Sequence, residues 1–200
     1  MTSIPVEYLQ SLFEVVRQIN PTAGVTLSLN RIAESTAKAM GCKACSIRLL
    51  STVDQSLKVQ TTFGLSERYV QKGPVLVARS AMDRLALQGN VVAIEDCLSD
   101  NRVQYPLEMS QEGIRSLLVA PLQSRGAALG VIRVYTAEVR HFDDEERSFL
   151  KMIAELAAIA LENARTFEAL RNEVHDLRRQ VTDLRQRIGL PRSPSGTGLV

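Results

Sequence analysis

Two arginines sit where charge is out of place. Arg48 lies in SIRLL and Arg133 in GVIRVY, each inside a run of apolar and β-branched residues that reads as a strand. A guanidinium drawn into an apolar layer needs a partner, because burying it without one is costly. Two arrangements meet that need. In one, each arginine pairs with an acid on a packing helix, for which Glu34, Glu155 and Glu162 are candidates, or reaches solvent. In the other, the planar fork of donors takes a carboxylate or phosphate from outside through paired hydrogen bonds.

Cysteine offers a second chemistry. Cys42 and Cys45 form a CxxC, a spacing found in redox and metal sites when a compensating pair lies elsewhere, but only Cys97 remains. The three read as small core or surface thiols, with a redox or metal role for all three as the alternative. No nucleophile and base, phosphate-cradling glycine run or paired metal ligands stand out, so neither catalysis nor a metal is expected.

The elements that would position these residues follow from periodicity. Val6, Leu9, Phe13 and Val16 recur at helical spacing after Pro5, predicting a helix that ends near Asn20, before Pro21. A second helix is expected over 26–40, with Leu29, Ile32, Ala33, Thr36 and Met40 on one face and Gly41 as its stop. Residues 44–51 alternate with Cys45, Ile47 and Leu49 on one side and Ser46, Arg48 and Leu50 on the other. Leu57, Val59, Thr61 and Phe63 continue the period, giving a hairpin. A helix over 78–88 and a strand from Val91 to Ile94 come next. Between Asp96 and Gly113 no period is sustained, and a loop of that length in a compact domain is a candidate lid. Residues 117–122 and 129–135 form a second hairpin, apolar on both faces and therefore suited to the sheet centre. The order of elements predicts an α+β fold: a central antiparallel sheet with helices packed on it.

The last helix carries the prediction of self-association. Asp143 and Glu146 make a capping box, and the DDEE run complements the helix dipole. With Ile153 at heptad position a, the seam runs through Leu156, Ala160, Asn163, Phe167, Leu170, Val174, Leu177, Val181, Leu184 and Ile188 without a skip. So long a 3.5-residue period predicts a parallel coiled coil, with Glu173 at g and Arg178 at the following e spaced to pair across it. Asn163 at d either fixes register or sits at the rim of the seam. The arginines of this helix read as a solvated coiled-coil surface, with polyanion binding as the alternative.

Bulk properties agree with such a reading. A chain of 200 residues accommodates one domain and an appendage, and 45% hydrophobic content excludes a disordered chain. The net charge of +2 supplies no global field toward nucleic acid or an anionic membrane. Without a signal-peptide pattern or an apolar run long enough to span, the expectation is a cytoplasmic protein with reduced thiols.

Three pieces together resemble the GAF domain family: SIRLL at 46–50, GIRSLLVAPLQSRGAALGVIRVY at 113–135 and HFDDEERSFLKMIAELAAIALENA at 141–164. The likeness extends over roughly residues 5–170. It implies a GAF-like, PAS-related sensor with a pocket on one face of the sheet and the terminal helices on the other. It further implies that Leu9, Phe13 and Val16 join the start of the long helix in a bundle between subunits. The family arrangement would set Arg48 and Arg133 side by side, with Tyr135 nearby and Arg102 reaching in from the lid, as the ligand-binding set. The cofactor stays open. Only His141 and His175 could serve as histidine ligands of a haem, one beside a helix cap and the other at a coiled-coil b position. The signatures of cyclic-nucleotide and bilin binding are missing, since Leu98 follows Cys97.

The resulting divisions are an N-terminal dimerisation helix at 1–20, a sensor domain at 21–164, a coiled-coil extension at 165–188 and a disordered tail at 189–200. The expected function is a bacterial-type regulatory homodimer that binds a small molecule, an anion being one candidate, and relays occupancy through the parallel coiled coil to a separate signalling protein. A ligand-free scaffold and a free methionine sulfoxide reductase-like enzyme are the alternatives.

Overall fold

Helix α1, Val6–Gln18, precedes α2, Val25–Ala39, in a computed structural model that describes residues 6–18 and 25–187. The buried positions of α2 are Ser28, Leu29, Ile32, Ala33, Thr36 and Ala37, a stripe at three- and four-residue spacing. Gly41 ends that helix with φ of 57°, while its N–H and that of Cys42 donate to the carbonyls of Lys38 and Ala37. Only glycine adopts this left-handed turn without strain.

Six strands follow: β1 Ala44–Ser51, β2 Ser56–Phe63, β3 Val75–Leu76, β4 Val92–Ile94, β5 Ser116–Ser124 and β6 Ala127–Thr136. They form one antiparallel sheet in the order β3-β2-β1-β6-β5-β4, which puts both arginine-bearing strands at its centre. Both expected hairpins are present. The expected helix over 78–88 is a 3-10 turn, Val77–Arg79, followed by α4, Ala81–Leu87. Three elements went unread in the sequence: α3, Glu67–Val70, the two-residue β3, and α5, Pro106–Gln111, the last inside the stretch expected to be irregular. All are too short for an apolar period to register.

The sheet has two unlike faces. On one, Ile47, Leu118, Ile132 and Val134 pack against Leu29 and Ile32 of α2 and against Phe149, Leu150 and Ile153 of α6, Asp144–Arg187. Val15 of α1 is buried in the same layer, and Tyr8 stacks on Phe149 with ring centroids 4.3 Å apart. The opposite face is covered by the segments carrying α3, α4 and α5.

At the start of α6 the capping box is formed. The Glu146 N–H donates to Asp143 Oδ1 at 2.8 Å, and the Asp143 N–H donates to Glu146 Oε2 at 3.0 Å. The helix runs 44 residues, about 66 Å. Its first turns correct the heptad assignment: Ile153 is fully buried and Ala160 nearly so, both in the chain's own core. The exposed stripe there passes instead through half-buried Met152 and Leu156, then Ile159 and Asn163. A heptad position records that an apolar side chain needs cover, and the sheet already covers these two. From Phe167 the stripe rejoins the expected seam, and Phe167, Leu170, Val174, Leu177, Val181 and Leu184 are each 44–57% exposed. Ile188 and the tail at 189–200 lie outside the described residues. On α1, Val6, Leu9, Phe13 and Val16 also face outward, opposite the packed side.

Candidate ligand site

Arg48 and Arg133 point from adjacent strands into the face covered by α3, α4 and α5. In the β1–β6 ladder Ser46 stands opposite Arg133 and Arg48 opposite Val131, so the two arginines share a face, offset by two residues. The β1–β2 ladder shifts register between Ile47 and Arg48, a bulge placed where the arginine leaves the strand. Gly130 lets β6 approach: a Cβ there would lie 2.0 Å from the Arg48 carbonyl oxygen.

Their partners differ sharply. Arg133 is 1% exposed and donates from Nη2 to Asp83 Oδ1 of α4 at 2.5 Å; Ser80 Oγ donates to the other carboxylate oxygen. The carboxylate holds the Arg133 guanidinium charged against desolvation. Arg48 is fully buried, and its Nε, Nη1 and Nη2 make no hydrogen bond. Arg133 Nε and the buried hydroxyl of Tyr69, on α3, are likewise unmatched. Tyr135 bonds to Ser46 at 2.9 Å between hydroxyls, and its ring meets that of Tyr69 edge-on at 6.2 Å. Desolvation first, then the neighbouring Tyr135, pushes the Tyr69 phenol well above its usual range, so its hydroxyl is a donor.

The structure thus brings Arg48, Arg133 and Tyr135 together and leaves Arg102 apart. Arg102 is clasped by Asp100, two residues away, through Nε at 2.9 Å and Nη2 at 2.5 Å. It also reaches the Ala93 carbonyl at 3.4 Å and lines a surface hollow with Arg147. The acids considered from sequence sit on the wrong elements: Glu34 bonds Lys38 on α2, and Glu162 of α6 stands nearest Arg125 at the β5–β6 turn. Asp83, Tyr69 and Lys72 were missed. The lone acid beside Met82 and Ala86 on the buried side of α4 was the one readable signal for Asp83.

The cover over the arginines is shared between two segments. Tyr69 and Lys72 come from α3 and the turn after it, while Val103, Tyr105 and Met109 come from the stretch expected to be a lid. Hydrogen bonds stitch the two: the Ser66 N–H donates to Glu112 Oε1 at 2.8 Å, the Leu76 N–H to Gln104 Oε1 at 3.0 Å and the Tyr105 hydroxyl to the Pro74 carbonyl at 3.0 Å. The cysteines do not join this chemistry. Burial pushes the Cys42 thiol up to about 11 and Cys97 up to about 12, and raises Cys45 further, so all are protonated at neutral pH. Among the described residues there is no metal-ligating cluster and no helix long and apolar enough to cross a membrane.

A curled antiparallel sheet with terminal helices on one face and a capped cluster of buried arginines on the other defines a recognisable class of α+β module. Residues 26–161 match the GAF domain model, and the chain belongs to that family. Among curated proteins none matches the sequence. Solved structures match over most of their length. The GAF domain from a phosphoenolpyruvate-protein phosphotransferase of Coxiella burnetii is 20% identical, with TM-score 0.73, covering 82% of this chain and 98% of that one. A methyl-accepting chemotaxis protein, residues 122 to 287, is 19% identical with TM-score 0.62, covering 80% and 99%. The free methionine-R-sulfoxide reductase from Neisseria meningitidis is 17% identical with TM-score 0.67, covering 83% and 96%. At these identities the likeness is one of fold.

Proposed function

We propose that the chain is a dimeric sensor that binds a small anion between Arg48 and Arg133 and passes its occupancy along α6 to a separate signalling protein. The observation that carries this reading is the Arg48 guanidinium, fully buried with all three nitrogens unmatched. Orphaned buried donors are rare, and a charge left so costs several times a neutral group, so the side chain is poised for an acceptor from outside. Arg133 Nε and the Tyr69 hydroxyl add two further donors. The likeness to a methyl-accepting chemotaxis protein supports a signalling role.

Self-association rests on the exposed stripe. Burying the outer half of each apolar side chain from Phe167 to Leu184 contributes on the order of 1 kcal/mol per residue. A single helix projecting beyond its domain has no such support, and isolated helices are marginal. The outward face of α1, with Leu9, Phe13 and Val16, and the Leu156–Ile159–Asn163 stripe of α6 extend the same surface in a parallel arrangement. Catalysis is not part of this proposal, because sulfoxide reduction needs an attacking thiolate and burial holds these thiols protonated.

Native mass spectrometry of freshly purified protein tests the reading. A dimer carrying a small acidic molecule, lost in Arg48→Met, is the expected result; dimers that stay empty in the presence of anions favour a scaffold, and loss of methionine sulfoxide in a turnover assay, abolished by Cys97→Ser, favours the enzyme.

A further inference from the structure

Charge around the buried arginines does not balance. Arg48 and Arg133 come from the sheet, and Lys72 stands on the cover, with its ammonium 3.6 Å from the centre of the Tyr69 ring and 5.6 Å from that of Tyr105. Against these three cations the interior holds one buried carboxylate, Asp83, already committed to Arg133. Two positive charges are left over.

Lys72 makes little use of its charge in this state. It donates to the Tyr69 carbonyl at 3.1 Å, and among the described residues no carboxylate stands within 4 Å. The groups that act on it are Arg48 from β1, Arg133 from β6, the Tyr69 and Tyr105 rings, and Glu108 and Glu112 of α5. Glu112 is occupied by the N–H and hydroxyl of Ser66. Desolvation first, then the two guanidiniums, bring the lysine down to about 7. Such a lysine gains little structurally, yet it stands three residues beyond Tyr69, whose hydroxyl is one of the orphaned donors.

We propose that this buried cluster of donors is built for a small doubly charged oxyanion, with Arg48 and Arg133 Nε holding one end and Lys72 closing on the second charge from the cover. Two negative charges neutralise the two left over, and the donors of Arg48, Arg133 and Tyr69 match the acceptor oxygens of a short dicarboxylate or a phosphate group. The inference rests on the anion-binding reading above and adds the valence of the ligand and a binding residue. A proton is taken up on binding wherever free Lys72 is neutral. Affinity for the dianion therefore falls as pH rises from about 7 toward the raised value of the bound lysine.

Calorimetric titration of the full chain with succinate, butyrate and inorganic phosphate tests this. The two acids have the same length and differ by one charge, while phosphate distinguishes a phosphate site from a carboxylate site. At pH 7 at least one of the two dianions is expected to bind about tenfold or more tightly than butyrate, with affinity falling by up to about tenfold per pH unit above pH 7. Lys72→Met is expected to narrow the preference to within about threefold and flatten the pH profile, while an unchanged circular dichroism spectrum reports an intact fold; Lys72→Arg keeps the preference. Equal binding of butyrate and both dianions, lost in Arg48→Met, overturns the dianion inference and leaves the anion site standing. A preference or pH profile that survives Lys72→Met also overturns it. Failure of all three probes to bind overturns both.

Discussion

The two faces of the central sheet are built from the same strands by opposite rules. Toward α2 and α6, Ile47, Leu118, Ile132 and Val134 belong to a broad apolar layer. Toward α4 and α3 the alternate residues of the same strands include Ser46, Arg48, Arg133 and Tyr135, buried as completely but hydrogen-bonded unevenly. The period of two lets one strand serve both purposes, since successive side chains leave on opposite sides. Both faces bury apolar surface on folding, and only the second also holds charge out of water.

The comparison breaks hardest at Asp83. Removing it by Asp83→Ala leaves Arg133 as an uncompensated buried charge, and unfolding stability is expected to drop by about 3–5 kcal/mol. On the apolar face Phe149→Ala should cost a similar amount, about 3–5 kcal/mol, through a cavity. The mechanisms separate in denaturant titrations of a second variant: Arg133→Met restores most of the loss in the Asp83→Ala background and none in the Phe149→Ala background.

A smaller effect sharpens the picture at the cover. In the anion-free protein the Lys72 value is depressed from 10.5 to about 7, so between those values the unfolded chain holds a proton that the folded one lacks. Stability attributable to this residue therefore rises with pH across that window. The difference in melting temperature between wild type and Lys72→Met, followed from pH 7 to 10, should show that rise; a flat difference places the ammonium in water. Smallest for the isolated fold, yet decisive for assembly, is Leu177→Asp. Leu177 is 53% exposed, so the domain should keep its stability while sedimentation shifts from dimer to monomer.

Much of the architecture was legible because its signals are long. The α2 stripe, both hairpins and the capping box at Asp143 each combine a period with a stop. Arg48 and Arg133 were legible for another reason: a charge inside an apolar strand is rare enough to stand out. Their surroundings were not. Asp83 sits in SAMDRLALQG, where an acid looks solvated until one knows which side of the sheet the helix covers. Tyr69 and Lys72 lie in a segment with no sustained period. Arg102 reads alike in a loop whether it turns inward or is captured by Asp100. Ile153 and Ala160 fit the heptad as well as Leu177 does, since periodicity cannot tell a partner subunit from the chain's own sheet.

The stability of Arg48→Met, measured with and without excess succinate or phosphate beside the wild type, bears most directly on the orphaned guanidinium. Without anion the variant should be as stable as wild type or up to about 4 kcal/mol more so, since an apolar side chain replaces an unmatched buried charge; with anion only the wild type should gain. A variant that is strongly destabilised, alongside a wild type indifferent to both anions, would show that Arg48 is part of the scaffold and not a binding group.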